Sequence, residues 1–194
     1  SCIQHPETSR ELGYYRKPKV GQPKRVMVVG GGPGGMKAAL TAKQRGHDVT
    51  LYEKEPQLGG QALLAQLLPD RAEFGGIVTN LARELVVHDV LVRTSVKVTP
   101  GMVARENPDA IILATGALSQ LPELEGSEES HVVDSWSVIR GEVNVGHSVV
   151  VWDWRSDWVG LGLAQMLAQN GCRVRLAVNG IVPGERIPSM VRDY

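Results

Sequence analysis

The sequence has few cysteines, no excess of either charge and no long apolar run. Its two cysteines are too few for a disulfide framework. Its 21 basic and 21 acidic side chains balance, and no basic stripe interleaved with aromatic residues indicates a nucleic-acid partner. No run approaches the roughly 20 apolar residues of a membrane helix, and no signal peptide opens the chain. These absences predict a cytoplasmic protein that binds neither nucleic acid nor membrane.

Several patterns of catalytic residues are also missing. The five histidines include no pair spaced i, i+4, which a helical metal site would need. Neither Gly-x-Ser-x-Gly nor Cys-x-x-Cys occurs, which removes the hydrolase turn and the disulfide redox pair. These patterns therefore indicate neither a hydrolase nor a helical metal site nor a disulfide redox site.

Glycines mark the most informative stretch. Val26–Val29 is predicted to be a buried parallel strand, and Gly30, Gly32 and Gly35 follow it in the pattern G-x-G-x-x-G. Gly30 permits a tight turn, Gly32 lets a pyrophosphate approach the backbone, and Gly35 lets a helix pack against the strand.

A helix, a second strand and an acidic residue complete this pattern. Helical spacing runs from Met36 to Arg45, a strand is predicted at Asp48–Tyr52, and Glu53 follows it. The helix start supplies free N–H groups and partial positive charge for phosphates. Glu53 can accept hydrogen bonds from ribose hydroxyls, and its charge disfavours the 2′-phosphate of NADP. The stretch predicts a site for the ADP half of a dinucleotide; the alternative is a glycine turn that binds nothing.

Strands and helices continue to alternate, which predicts an α/β fold with a parallel, doubly wound sheet. We expect a linker at 1–24, a nucleotide-binding domain at 25–120 and the start of an incomplete second module at 121–194. The further elements predicted are a helix at Arg71–Val87, strands at Val90–Arg93, Val96–Val98, Asp109–Thr115 and Val149–Trp152, a helix at Gly160–Gln169 and a strand at Arg173–Val178. The segment Val132–Val138 suits a short strand or a crossover that leads into a helix turn around Trp136–Ile139.

The second module departs from the glycine pattern. After its first strand the chain reads Asp153 to Gly160, and only Gly160 keeps a glycine in a plausible position. Asp153 and Asp157 would repel a pyrophosphate, while Trp154 could fill the space of a nicotinamide nucleotide or simply pack. We expect no working NAD(P) site here.

Four segments carry a family resemblance, namely Val28–Gly35, Val49–Lys54, Leu58–Gln61 and Ile112–Gly116. With them the chain resembles the C-terminal dinucleotide-binding region of the iron–sulfur flavoenzymes related to 2,4-dienoyl-CoA reductase, trimethylamine dehydrogenase and histamine dehydrogenase. Those enzymes join an FMN-bearing (β/α)8 barrel of old-yellow-enzyme type, a [4Fe–4S] cluster and a region that binds FAD or ADP. The resemblance implies a Rossmann-like, two-dinucleotide-binding-domain flavoprotein fold in truncated form.

Motif and resemblance together define the predicted site. The resemblance implies that Gly60 and Gln61 pass beside the flavin pyrophosphate, that the backbone of Val98 lies near adenine, and that Cys2 is the fourth thiolate ligand of the cluster. One cysteine cannot assemble a cluster by itself. The cofactor-binding residues predicted are Gly30, Gly32, Pro33, Gly34, Gly35, Glu53, Lys54, Gly60, Gln61, Val98, Ala114, Thr115 and Gly116.

The leading hypothesis is the FAD- or ADP-binding portion of an FMN/[4Fe–4S] oxidoreductase that acts on an amine. The resemblance implies that the chemistry on the substrate belongs to an upstream barrel, so we expect no catalytic residue in this chain. Its parent enzyme would be a homo-oligomer that passes electrons to a protein acceptor. One alternative is a fragment of an NAD(P)H-dependent 2,4-dienoyl-CoA-type reductase, and another is a non-catalytic module that only holds a nucleotide. Both chain ends read as cut from a longer protein, so we expect weak or absent FAD because a later flavin-holding segment would be missing.

Overall fold

The computed structural model describes residues 6–14 and 18–188. The described residues divide into two compact units, one within Ser1–Leu63 and Glu73–Ala117, the other within Leu64–Ala72 and Leu118–Tyr194. The elements in chain order are α1 (Glu11–Tyr14), β1 (Arg25–Val29), α2 (Pro33–Gln44), β2 (Asp48–Tyr52), α3 (Ala62–Ala65), α4 (Glu73–Val87), β3 (Leu91–Arg93), α5 (Pro100–Glu106), β4 (Ala110–Leu113), α6 (Ser135–Ile139), β5 (Ser148–Asp153), α7 (Trp158–Gln169) and β6 (Arg173–Val178).

The first unit is built on a four-stranded parallel sheet in the order β3-β2-β1-β4. β1 takes a central place because Val26–Val28 is apolar and buried, as a strand covered on both faces must be. The register sets Val29 beside both Tyr52 and Leu113. The loops that follow these three strands therefore start at the same end of the sheet, where the carboxyl ends of the strands lie. The predicted parallel α/β fold is confirmed.

Helices α2 and α4 form the core of the first unit with this sheet. α2 begins at Pro33, whose fixed φ and missing N–H suit the first position of a helix. Its buried side chains Met36, Ala39 and Leu40 recur at helical spacing and pack in one cluster with Leu85 of α4. Each large apolar side chain buried here contributes roughly 1.5–3 kcal/mol.

The second unit contains a two-stranded parallel sheet, β5-β6, against which α7 packs. The side chain of Asp157 caps α7 because its Oδ1 accepts the N–H of Val159 at 2.9 Å. Gly171 follows α7 with a positive φ of 85°, which glycine adopts without strain. The buried core of this unit consists of Leu68, Ile139, Val151, Leu163 and Leu167.

One predicted strand is wrong. Val96–Val98 pairs with no strand; the N–H of Val96 donates to the carbonyl of Glu53 at 2.8 Å, and the chain then enters α5. The sequence reading missed α5, whose first turn is capped by Thr99. The helix turn expected around Trp136–Ile139 is confirmed, because α6 spans Ser135–Ile139 and Asp134 accepts N–H groups of its first turn.

The predicted linker at 1–24 has specific contacts within the first unit. It contains α1, and the carboxylate of Glu7 lies 2.8 Å from the Nζ of Lys37 on α2. Further along, the N–H of Val20 donates to the carbonyl of Arg45 at 2.9 Å. Part of this N-terminal segment therefore runs along α2.

Candidate functional site

Two glycines of the first turn are required by packing. Gly30 has a φ of 111°, and a Cβ there would overlap the carbonyl oxygen of Ala114. A Cβ at Gly35 would overlap the carbonyl oxygen of Gly30. Larger residues would therefore push α2 away from the end of β1, as the glycine pattern predicts.

Two other glycines of the turn face open space. A Cβ at Gly32 or Gly34 would meet no heavy atom within 4 Å. Gly32 precedes α2 in an extended conformation, and no side chain caps the helix. The first intrahelical bond is donated by Met36 to the carbonyl of Gly32, so the N–H groups of Gly34 and Gly35 have no partner inside the helix. These free donors and the open space fit a diphosphate.

Glu53 closes the other side of the turn. Its side chain is 7% exposed. Its Oε2 accepts the N–H of Gly31 at 2.6 Å, and its Oε1 accepts the N–H of Glu55 at 2.8 Å. Each oxygen keeps a second lone pair that can accept a hydroxyl hydrogen. The structure thus places an acceptor group beside the open turn, in the position where the motif calls for a ribose partner.

A second loop of the first unit lies against the glycine turn. The N–H of Gly59 donates to the carbonyl of Gly31 at 2.9 Å. Gly60 has a φ of 52°, and a Cβ there would lie 3.2 Å from the Cα of Gly32. The predicted residue Gly60 therefore borders the open space above the turn.

Gln61 connects this loop to the exit of β4. Its Nε2 donates to the carbonyl of Ala117 at 3.3 Å, and a Cβ at Gly116 would lie 3.3 Å from the same nitrogen. Ala114 continues the strand pairing by donating its N–H to the carbonyl of Val29 at 2.8 Å; Thr115 follows it, exposed. The predicted segments at 30–35, 53, 60–61 and 114–116 thus belong to one neighbourhood.

Three predicted site residues have no described contact with this neighbourhood. Lys54 is exposed and forms an ion pair with Glu55, with 3.4 Å between Nζ and Oε1. Val98 lies in the unpaired segment before α5. Cys2 lies outside the described residues. Their roles stay predictions.

Sequence reasoning missed Gly31 and Leu58. A Cβ at Gly31 would lie 2.5 Å from the Cδ2 of Leu58 and 3.0 Å from the Oε2 of Glu53. Gly31 occupies a free position of G-x-G-x-x-G, so the motif carries no signal for it. Only the run of consecutive glycines in the sequence marks this position as unusual.

The turn between β5 and α7 is poor in glycine, and the side chain of Asp153 pairs with its backbone N–H groups. It is one residue longer than the first, with six residues between Asp153 and Gly160 against five between Val29 and Gly35. Asp153 is 6% exposed, and its Oδ1 accepts the N–H groups of Arg155 at 3.1 Å and Ser156 at 2.9 Å.

The Asp153 carboxylate also lies against Gly160, near the start of α7. A Cβ at Gly160 would lie 2.5 Å from the Oδ2 of Asp153, so the glycine makes room for the carboxylate. That Oδ2 is buried and has no hydrogen-bond partner among the described residues. Burial raises the pKa of Asp153, and the nearby charge of Asp157 raises it further. The N–H groups of Arg155 and Ser156 thus already have a partner within the second unit, and the expected repulsion of a pyrophosphate stays a prediction.

No group of three or more His, Cys, Asp or Glu side chains within residues 6–14 and 18–188 could hold a metal ion. No helix in the same ranges is long and apolar enough to cross a membrane.

Comparisons with known proteins agree with this geometry. A family model described as pyridine nucleotide-disulphide oxidoreductase matches residues 24–178. The N,N-dimethylglycine/sarcosine dehydrogenase of Chromohalobacter salexigens is 39% identical over 96% of this chain, which spans 28% of that protein. Among solved structures, a 2-naphthoyl-CoA reductase complex has a TM-score of 0.90 and 25% identity, covering 98% of this chain and 29% of the other. Histamine dehydrogenase from Rhizobium sp. 4-9 has a TM-score of 0.81 and 25% identity, covering 94% and 30%.

Proposed function

Because this chain belongs to the pyridine nucleotide-disulphide oxidoreductase family, we propose that its first glycine turn binds the ADP half of FAD, or ADP itself. The chain would be the nucleotide-binding portion of a flavin-dependent oxidoreductase. The observation that carries this proposal is the uncapped, open start of α2 beside the buried carboxylate of Glu53. The chain spans less than a third of the relatives it matches. We therefore assign the chemistry on the substrate to the part of the longer protein that lies outside this chain.

The diphosphate and the ribose of ADP match the two sides of this site. The N–H groups of Gly34 and Gly35, at the positive end of α2, suit the diphosphate. Glu53 suits the ribose, since its two oxygens are held in place by the N–H groups of Gly31 and Glu55. A 2′-phosphate would meet the Glu53 charge, so the site favours ADP and FAD over NADP.

We assign an amine as the substrate of the longer protein. The dehydrogenase of Chromohalobacter salexigens and the histamine dehydrogenase, both named for amine substrates, support this assignment. FMN and a [4Fe–4S] cluster, which the family resemblance implies, would supply amine oxidation and electron transfer to a protein acceptor there. The carboxylate of Asp153 on the amides of the second turn also favours a route without a nicotinamide cofactor.

A reductase remains the second candidate. The 2-naphthoyl-CoA reductase complex covers 98% of this chain with a TM-score of 0.90, which supports a longer protein that reduces a conjugated substrate. In that case NAD(P)H would be the electron donor. Oxidation of NAD(P)H by the longer protein, without an amine, would favour this candidate over the amine dehydrogenase.

Calorimetric titration of the 194-residue chain tests nucleotide binding directly. We expect ADP to bind with one site per chain, FAD to bind weakly or not at all, and NADPH to show no binding. A yellow complex with FAD separates a flavin site from a module that only holds ADP. If neither ADP nor FAD binds, the proposed function is wrong.

Glu53→Gln is the diagnostic variant for this site. Both Glu53 oxygens accept backbone N–H groups, so a glutamine in either orientation sets its own NH2 against one donor. Hydrogen bonds to a charged group contribute about 1.5–3 kcal/mol, which predicts ADP binding about 10- to 100-fold weaker. Glu128→Gln, at an exposed position of the second unit, is the matched control and should bind ADP as the original chain does.

A further inference from the structure

The Glu53 carboxylate is held by backbone groups from two directions. The N–H of Gly31 donates to its Oε2 at 2.6 Å, and the N–H of Glu55 donates to its Oε1 at 2.8 Å. The side chain is also 7% exposed, so little space is left for another rotamer. The orientation of this carboxylate therefore depends on where the backbone at 31 and 55 lies.

Gly31 is a glycine for reasons of space. Its φ lies outside the left-handed region, so its backbone conformation is open to any residue. An added Cβ, however, would lie 2.5 Å from the Cδ2 of Leu58 and 3.0 Å from both the Cβ and the Oε2 of Glu53. The Leu58 side chain is partly buried against the core and can yield only by repacking. Part of the strain must then be relieved by movement of Glu53.

We propose that Gly31 is a positioning residue for nucleotide specificity, acting through Glu53. The N–H of Gly31 orients the Glu53 carboxylate. Because Gly31 has no side chain, space is left beside the turn for this carboxylate. In this position Glu53 accepts the ribose hydroxyls and repels a 2′-phosphate. The inference rests on the proposed function, because it assumes that the first turn binds an adenine nucleotide.

The test compares ADP with 2′,3′-dideoxy-ADP, which keeps the diphosphate and lacks both ribose hydroxyls. The original chain should bind ADP more tightly than the dideoxy compound. Gly31→Ala should weaken ADP binding about tenfold and leave the affinity for the dideoxy compound unchanged. A loss of general packing would weaken both ligands equally, so the ratio of the two dissociation constants isolates the positioning role.

Two further variants complete the design. In a Glu53→Gln background, Gly31→Ala should cause no further loss of ADP affinity, since its effect passes through Glu53. Gly101→Ala is the matched control, because a Cβ there meets no heavy atom within 4 Å and its φ is not positive. It should leave both dissociation constants as they are.

The outcomes separate this inference from the proposed function. If the original chain binds no ADP, the proposed function fails; if it binds ADP and Gly31→Ala keeps the ratio of the two constants, only the role of Gly31 is refuted. Should Gly31→Ala fail to fold, the comparison is repeated in a Leu58→Ala background, which removes the shorter of the contacts. If that double variant also fails to fold, Gly31 is a structural residue and the inference is wrong.

Discussion

Replacing Asp153 should change the stability of the second unit in a way that depends on the replacement. Asp153→Asn keeps an oxygen that can accept the N–H groups of Arg155 and Ser156 and removes a buried charge whose Oδ2 has no partner among the described residues. Asp153→Ala removes the acceptor altogether. It would leave the buried N–H of Ser156 unpaired, which costs about 1–3 kcal/mol. We expect the alanine variant to lose that much unfolding free energy at neutral pH, and the asparagine variant to lose none.

The pH dependence has a definite sign. Burial, and secondarily Asp157, raises the pKa of Asp153 above the ordinary value of 3.8, so the folded state binds this proton more tightly than the unfolded state does. The associated stability is fully present below pH 3.8 and is lost as pH rises through the raised pKa. In Asp153→Asn this loss is absent. The asparagine variant should therefore gain stability relative to the original chain as pH rises from acid to neutral.

Tryptophan fluorescence during urea unfolding is the appropriate assay. All four tryptophans, Trp136, Trp152, Trp154 and Trp158, belong to the second unit, so their emission reports on that unit. The reasoning is refuted if Asp153→Ala is as stable as the original chain at neutral pH. It is equally refuted if Asp153→Asn shows the same pH dependence as the original chain.

Three further predictions concern single contacts, each measured by urea unfolding followed by circular dichroism. Gly35→Ala should lower the unfolding free energy by about 1–3 kcal/mol, because its Cβ would overlap the Gly30 carbonyl; unchanged stability would contradict this. Burial and the neighbouring Glu106 raise the pKa of Tyr52 to about 12, so Tyr52→Phe should remove one phenol that titrates late. The same variant loses the hydrogen bond to Glu106, which should lower the unfolding free energy by about 1 kcal/mol. Burial alone would raise the pKa of Asp134, but hydrogen bonds from nearby serines and from the α6 backbone lower it. Asp134→Ala should cost about 1 kcal/mol above pH 3.8 and less as pH falls below that value, and a constant cost would contradict the prediction.

Periodicity and glycine spacing were sufficient for much of the fold. The predicted bounds of β2 and β6, Asp48–Tyr52 and Arg173–Val178, are those of the structure. In both strands a short run rich in β-branched and apolar residues is bounded by polar or glycine residues, so local pattern and tertiary packing agree. The first glycine turn was readable because packing requires glycine at Gly30 and Gly35, two of the three positions of the motif.

The missed helix α5 shows where local reading fails. Pro100 and Gly101 are residue types that are common in turns, yet Pro100 follows the capping residue Thr99 and so opens a helix. The same composition thus fits a turn and a helix start. α5 buries none of its residues, so its start is set locally by the Thr99 cap and by Pro100 at the first helical turn.

The two carboxylates at strand ends show a second limit. Glu53 was predicted as a ligand for a nucleotide and Asp153 as a group that repels one. The structure adds that each carboxylate accepts backbone N–H groups of its own turn or of a neighbouring one. Such bonds depend on side-chain direction and turn length, and a residue's type and position alone do not reveal them.

The central claim is that the amides of the first glycine turn bind a nucleotide diphosphate while Glu53 holds its ribose. Titration of the 15N-labelled chain with ADP, followed by amide chemical shifts, tests it most directly. The account predicts saturable shifts centred on Gly31, Gly34 and Gly35, with Asp153–Gly160 unchanged. Shifts confined to the second turn, or none at saturating ADP, would contradict it.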